Sequence, residues 1–160
     1  GFGRQKRPGK TPVTISKDGG VTWKKSRKTN LLAVKCQKSV LAIGNYVFST
    51  HTGPKARADG ELSVGKFVKE NGFFTKIDWF KTIRIRNGFF AYSCLAQIDE
   101  NTIGVMYEAE PSSYLVYEDF KIDELVKYNK HFDNSVHILN VIIFIHKKFI
   151  KCAICIHKYS

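Results

Sequence analysis

The chain has 160 residues, with 26 Lys+Arg against 14 Asp+Glu and 13% aromatics. That is a one-domain length with enough apolar side chains to build a core, which excludes disorder throughout. The net charge of +12 favours attraction to polyanions and leaves the chemistry open, while no apolar run approaches the ~18–20 residues of a membrane span.

The first 30 residues carry nine Lys/Arg and one Asp, and read as a solvated hairpin or loop surface. The sequence opens on Gly1 with no initiator Met and no apolar signal region, so its true N-terminus is expected upstream. From Val13 to about Ile122, short β-branched and aromatic runs alternate with turn dipeptides, which predicts consecutive antiparallel strands. The breaks are Asp18-Gly19-Gly20, Gly44-Asn45, Asp59-Gly60, Asn71-Gly72, Asn87-Gly88 and Asp99-Glu100-Asn101. Most supply a Gly or Asn for positive φ, and each invites a hairpin.

Ser39–Ile43 is expected to pair with Tyr46–Thr50, and Ala91–Ile98 with Thr102–Glu108, followed by a strand over Ser113–Ile122. Ile83 and Ile85 alternate with Arg84 and Arg86, which predicts a strand with one face in a core and the other in water. A short helix is expected over Asp123–Asn129. Residues 1–130 therefore read as one all-β unit. Residues 131–160 read as an atypical tail outside it, because from 134 onward there is no acid, Gly or Pro. An edge strand, a small helix and an extension translated from non-coding sequence all remain open for that segment.

Ser16-Lys17-Asp18-Gly19-Gly20-Val21-Thr22-Trp23 has the form S-x-D-x-G-x-T-W, known as an Asp box. The Asp18 carboxylate can accept turn N–H groups and Gly20 can take positive φ. The hydroxyls of Ser16 and Thr22 can bond locally, and Trp23 can plug the turn onto apolar surface. This is a folding device found in sialidases and other β-propellers, and by itself it argues architecture only. Cys36, Cys94, Cys152 and Cys155 make no disulfide framework. Cys152-x-x-Cys155-x-His157 with His146 matches no common zinc spacing, so no metal is expected.

A second constellation is more specific: Phe90-Ala91-Tyr92-Ser93-Cys94-Leu95, then a turn, then Ile103-Gly104-Val105-Met106-Tyr107-Glu108. Here the chain resembles the exo-α-sialidase (neuraminidase) family, whose last propeller blades carry an A-Y-S-x-L strand followed by an I-G-x-x-Y/F-E strand. Cys36-Gln37-Lys38-Ser39-Val40-Leu41 is similar to that family's C-Q-G-S strand. Arg57-Ala58-Asp59-Gly60 resembles the stretch that carries the third arginine of its carboxylate-binding triad. The likeness is collinear and covers roughly residues 4 to 128.

The resemblance implies a partial six-bladed β-propeller, roughly the last two to three blades, ending in a short C-terminal helix or irregular tail. It implies hydrolysis of terminal sialic acids from oligosaccharides, glycoproteins or glycolipids, with retention and without a cofactor. Tyr92 is implied as the nucleophile, a role that suits a substrate whose own carboxylate would repel an Asp or Glu. Arg57 and Arg4 are implied as carboxylate-binding arginines, because a guanidinium fork grips a carboxylate in two places. Glu108 is implied as the acid that orients the first triad arginine. On the residues alone, Tyr92 is one more strand aromatic, Arg57 a solvated turn charge and Glu108 a solvated strand end.

The first arginine, the acid/base Asp and the Glu that activates the tyrosine have no counterpart here, so the chain is expected to be an incomplete fragment, inactive alone and lacking its N-terminal blades. A non-catalytic sialoside-binding propeller remnant and a basic polyanion-binding β module are the other two classes; nucleic acid is not expected as a partner. Cytoplasm, lysosome and membrane association all fit the resemblance.

Overall fold

A computed structural model of the chain describes residues 1–3, 7–110, 114–127 and 141–143. Within them the architecture is all-β with one short helix. The elements in chain order are β1 (Gly9–Val13), β2 (Arg27–Ala33), β3 (Ser39–Ile43), β4 (Tyr46–His51), β5 (Glu61–Glu70), β6 (Phe73–Arg84), β7 (Ala91–Asp99), β8 (Thr102–Glu108), β9 (Leu115–Lys121), α1 (Ile122–Val126) and β10 (Val141–Ile143). They form a β1–β2 hairpin, a four-stranded sheet in the order β3-β4-β5-β6, and a second in the order β10-β9-β8-β7. Every pairing is antiparallel.

Tight turns follow from local chemistry. Ile43 pairs with Tyr46 across Gly44-Asn45, with Gly44 at φ 56. Glu70 pairs with Phe73 across Asn71-Gly72, where both central residues have positive φ, 51 and 78. Those values match the twist that a two-residue hairpin needs.

Asp59-Gly60 and Asn87-Gly88 depart from the expectation, since neither closes a hairpin. They lie in the β4–β5 and β6–β7 connections and bind each other: the Asp59 N–H donates to the Gly88 carbonyl at 2.7 Å. The Gly88 N–H donates to Asp59 Oδ1 at 3.4 Å. Both segments have turn chemistry, but one spans a long loop and the other passes between sheets, so their backbone groups find partners in one another. The alternation at 83–86 also ends early. β6 stops at Arg84, and Arg86, expected to face water, donates from Nε to the Phe89 carbonyl at 3.1 Å and from Nη2 to the Ala109 carbonyl at 3.3 Å.

The two larger sheets share one core. Phe48, Leu62 and Val64 come from the first sheet, and Leu95, Ile103, Val105, Tyr107, Val116 and Phe120 from the second, joined by Phe90 from the β6–β7 connection. Each such buried side chain contributes about 1.5–3 kcal/mol of transfer free energy. Polar ties cross between the sheets next to the site described below. The Leu95 N–H donates to Ser39 Oγ at 2.9 Å, and buried Thr50 donates to buried Ser93 at 2.8 Å. Buried Tyr107 donates to Glu118 Oε1. Burial pushes the Glu118 carboxyl up, and burial together with that bond pushes the Tyr107 phenol up.

The helix occupies Ile122–Val126, close to the expected segment, and Lys127 returns to extended backbone. Of the segment 131–160, the structure describes Val141–Ile143, which pairs with Leu115–Tyr117 at the edge of β9. The rest lies outside the described residues, as do Cys152, Cys155, His146 and His157. No described helix is long and apolar enough to cross a membrane.

Candidate functional site

The Ser16–Trp23 segment forms the turn between β1 and β2. Ser16 Oγ donates to Asp18 Oδ1 at 2.7 Å and accepts from the Gly20 N–H at 2.7 Å. Asp18 Oδ1 also accepts from the Thr22 N–H at 2.9 Å, and its Oδ2 accepts from the Thr22 hydroxyl. Gly20 has φ 99. Trp23 departs from its expected role as a plug: it is 53% exposed, and its ring lies along Gly1 and Gly20. Gly20 of its own turn and Gly1 from the chain start, both without side chains, leave room for the indole there.

The Thr22 bonds and that from Ser16 hold the Asp18 carboxyl down at about 2, from an ordinary value of 3.8. A depressed carboxyl stabilises the fold above its unfolded value, and the stabilisation is lost as pH falls toward the folded one. Carboxyl NMR titration is therefore expected to show Asp18 midpoint near 2, and Asp18→Asn should raise that protonation-linked loosening to all pH. An Asp18 midpoint near 4, with unchanged Thr22 amide exchange in the variant, would contradict the described turn.

The second region builds on a break in the β7–β8 ladder. Ala91 pairs with Glu108 and Cys94 with Met106, so Tyr92 and Ser93 together oppose the single residue Tyr107. This is a β-bulge, a device that re-aims side chains at strand ends and functional sites. Tyr92 has φ 34, left-handed backbone that a bulky residue rarely adopts. The bulge sends Ala91 and Ser93 inward and leaves Tyr92 43% exposed. Ala91 packs on Val34 and Cys36, Ser93 is fixed by Thr50, and Phe90 packs on Tyr107 with ring centroids 4.7 Å apart.

Arg57 arrives from the β4–β5 loop. Its carbonyl accepts from the Phe90 N–H at 3.1 Å, and Ala58 forms a bridge with Phe89. These bonds fasten the loop two residues ahead of Tyr92. The Arg57 guanidinium carbon lies 5.3 Å from the Tyr92 ring centroid. Glu108 stands opposite Ala91 at the end of β8, half-buried, and its carboxylate has no ion-pair partner among the described residues.

The structure thus gathers Tyr92, Arg57 and Glu108 at one end of the β7–β8 pair, while Arg4 lies outside the described residues. Ser16, Asp18, Gly20, Thr22 and Trp23 form a separate turn. No cluster of His, Cys, Asp and Glu suited to a metal occurs among the described residues. Sequence reasoning missed the positioning side chains Thr50, Ser93, Ser39 and Arg86. Their contacts join residues far apart in the chain, and only the Ser39 and Ser93 motifs marked the neighbourhood.

No family model matches the chain. It is similar to a curated sialidase of Bacteroides fragilis (strain YCH46), 27% identical over 135 residues, an alignment that covers 78% of this chain and 24% of that protein. The chain therefore spans about a quarter of the length of the relative it matches. This is a distant likeness to a sialidase.

Proposed function

We propose that the chain is the C-terminal part of the catalytic domain of an exo-α-sialidase, with Tyr92 as nucleophile and Arg57 as one arm of the clamp on the substrate carboxylate. The observation that carries this reading is the contact between Arg57 and Tyr92. A sialoside bears its carboxylate on the anomeric carbon itself, so a nucleophile for that carbon and a cation for that carboxylate must stand within a few ångströms of each other. The strained bulge that turns Tyr92 outward beside Arg57 meets that demand.

In this mechanism Tyr92 Oη bonds to the anomeric carbon as the glycosidic C–O bond breaks, and an acid protonates the departing oxygen. Water then displaces the tyrosine by attacking from the opposite face, the one the leaving group vacated, so two inversions give net retention. Arg57 and Arg4 hold the carboxylate, and Glu108 fixes a further arginine. That arginine, the acid and the base that deprotonates Tyr92 belong to parts of a longer protein beyond these residues. Residues 1–130 are then the last two to three blades of a six-bladed propeller. β3–β6 is a whole blade, β7–β9 begins the next, and the β1–β2 hairpin ends the one before. From the segment 131–160, Val141–Ile143 adds an edge strand to that second sheet beside β9.

The test is stereochemical. Proton NMR of a protein carrying the whole site should detect the α-anomer of free sialic acid first, with the β-anomer growing in by mutarotation. Initial release of the β-anomer means single displacement by water and removes the nucleophile role from Tyr92.

A further inference from the structure

A cavity of about 570 Å³ opens between the β1–β2 hairpin and the tip of the β5–β6 hairpin, and neither Tyr92 nor Arg57 lines it. Lys17, Lys24, Lys25, Arg27, Lys28 and Lys76 line it, against Glu70 as the one acidic lining residue. All six cations are exposed, and none is ion-paired with a described carboxylate. So many like charges around one concavity repel each other, and the repulsion is relieved when an anion enters and releases its counterions. Asn30 adds an amide to the lining, and Phe74 and Ile77 form an apolar wall. Cations, an amide and an apolar strip together suit sugar rings bearing anionic groups.

The geometry points to a binding site for a linear sulfated glycan in this groove, separate from the Tyr92 region and independent of any hydrolytic role. Single-stranded nucleic acid fits it less well, because that ligand needs open aromatic faces for base stacking. The exposed aromatic at the rim, Phe73, already has the Lys17 ammonium 3.8 Å over its ring centroid. A glycan sulfate can pair with the lysines and leave that stack intact.

The probe is a fluorescent heparin hexasaccharide titrated with the 160-residue chain by anisotropy. Affinity should fall by about a hundredfold between ~50 and ~200 mM salt, as displacement of several counterions requires. The triple variant Lys24→Glu, Lys25→Glu, Lys28→Glu should weaken binding at least about tenfold more than Lys55→Glu, Lys66→Glu, Lys127→Glu, which changes the net charge equally at other sites. An oligothymidylate of equal charge should bind about tenfold more weakly than the hexasaccharide. Equal losses from both triples would reduce the effect to diffuse charge, and tighter binding of the oligothymidylate would assign the groove to nucleic acid; either overturns the proposal. If a variant does not fold, lysine acetylation of the unaltered chain decides. Bound hexasaccharide should protect Lys24, Lys25, Lys28 and Lys76 but leave Lys55 and Lys127 reactive, and uniform reactivity counts against the site.

Discussion

Tyr92→Phe, made in a protein that carries the whole site, is expected to lower kcat by at least about a thousandfold with little change in the affinity for an unreactive sialoside, since removing a nucleophile deletes a bond formed only on the way to the transition state. The ring remains, so its contact with the Arg57 guanidinium and the left-handed backbone at the bulge are both preserved. Arg57→Lys should behave differently. A lysine keeps the charge and loses the planar fork, so sialoside affinity weakens along with turnover. Retained turnover in Tyr92→Phe would make the phenol a bystander. Loss of binding equal to the loss of rate would make it a contact residue.

Gly60→Ala is expected to destabilise the fold by about 3 kcal/mol, at the upper end of overpacking costs, and to lower Tm by roughly 6–12 °C. A Cβ at Gly60 would stand 2.2 Å from the Phe90 ring. Phe90 is fully buried and packs on Tyr107, so the ring cannot swing away without moving the bulge. The Phe90 N–H also holds the Arg57 carbonyl, which couples this packing to the candidate site. Gly44→Ala supplies the contrast. Gly44 has φ 56 with open space around it, so only backbone strain of about 1 kcal/mol is expected there. Phe90→Leu combined with Gly60→Ala should recover part of the loss, as coupled neighbours do. Equal small effects at both glycines would mean that the loop does not press on Phe90.

Gly60 also shows where the sequence stops being informative. Asp59-Gly60 reads as a turn pair, and the pair does sit in a loop, but Asp59 takes the positive φ while Gly60 is needed for space. Turn grammar is local, and the Phe90 ring that imposes the requirement comes from another sheet. The strand pairs across Gly44-Asn45, Asn71-Gly72 and the 99–101 turn were legible because alternation and turn type are both encoded within a dozen residues. The bulge at Tyr92 was not. Alternation through Ala91-Tyr92-Ser93 looks regular in sequence, and only the register with β8 reveals the extra residue. That Ser16, Asp18 and Thr22 bond locally was legible, since their partners lie within the turn, although the individual pairings come from the structure. Trp23 was misjudged because its environment is set by Gly1, far from it in the chain.

The juxtaposition of Tyr92 and Arg57 belongs to both categories. Each residue sits in a motif that marks it, yet nothing in local sequence fixes the distance between them. That distance depends on the bonds of the 57–59 loop with residues 88–90, and on Thr50 holding Ser93 from behind. Thr50→Val is the gentlest way to loosen that support, because it keeps the volume and deletes the hydroxyl.

The most direct measurement of the central claim is peptide mass mapping of a protein containing this chain, quenched during turnover of a sialoside with fluorine beside the anomeric carbon. The fluorine destabilises positive charge at that carbon and slows release of the enzyme-bound sugar. The account predicts one sialosyl group, attached through the Tyr92 phenol oxygen. A sialosyl group on a carboxylate side chain, or turnover with Tyr92 unlabelled throughout, would contradict it.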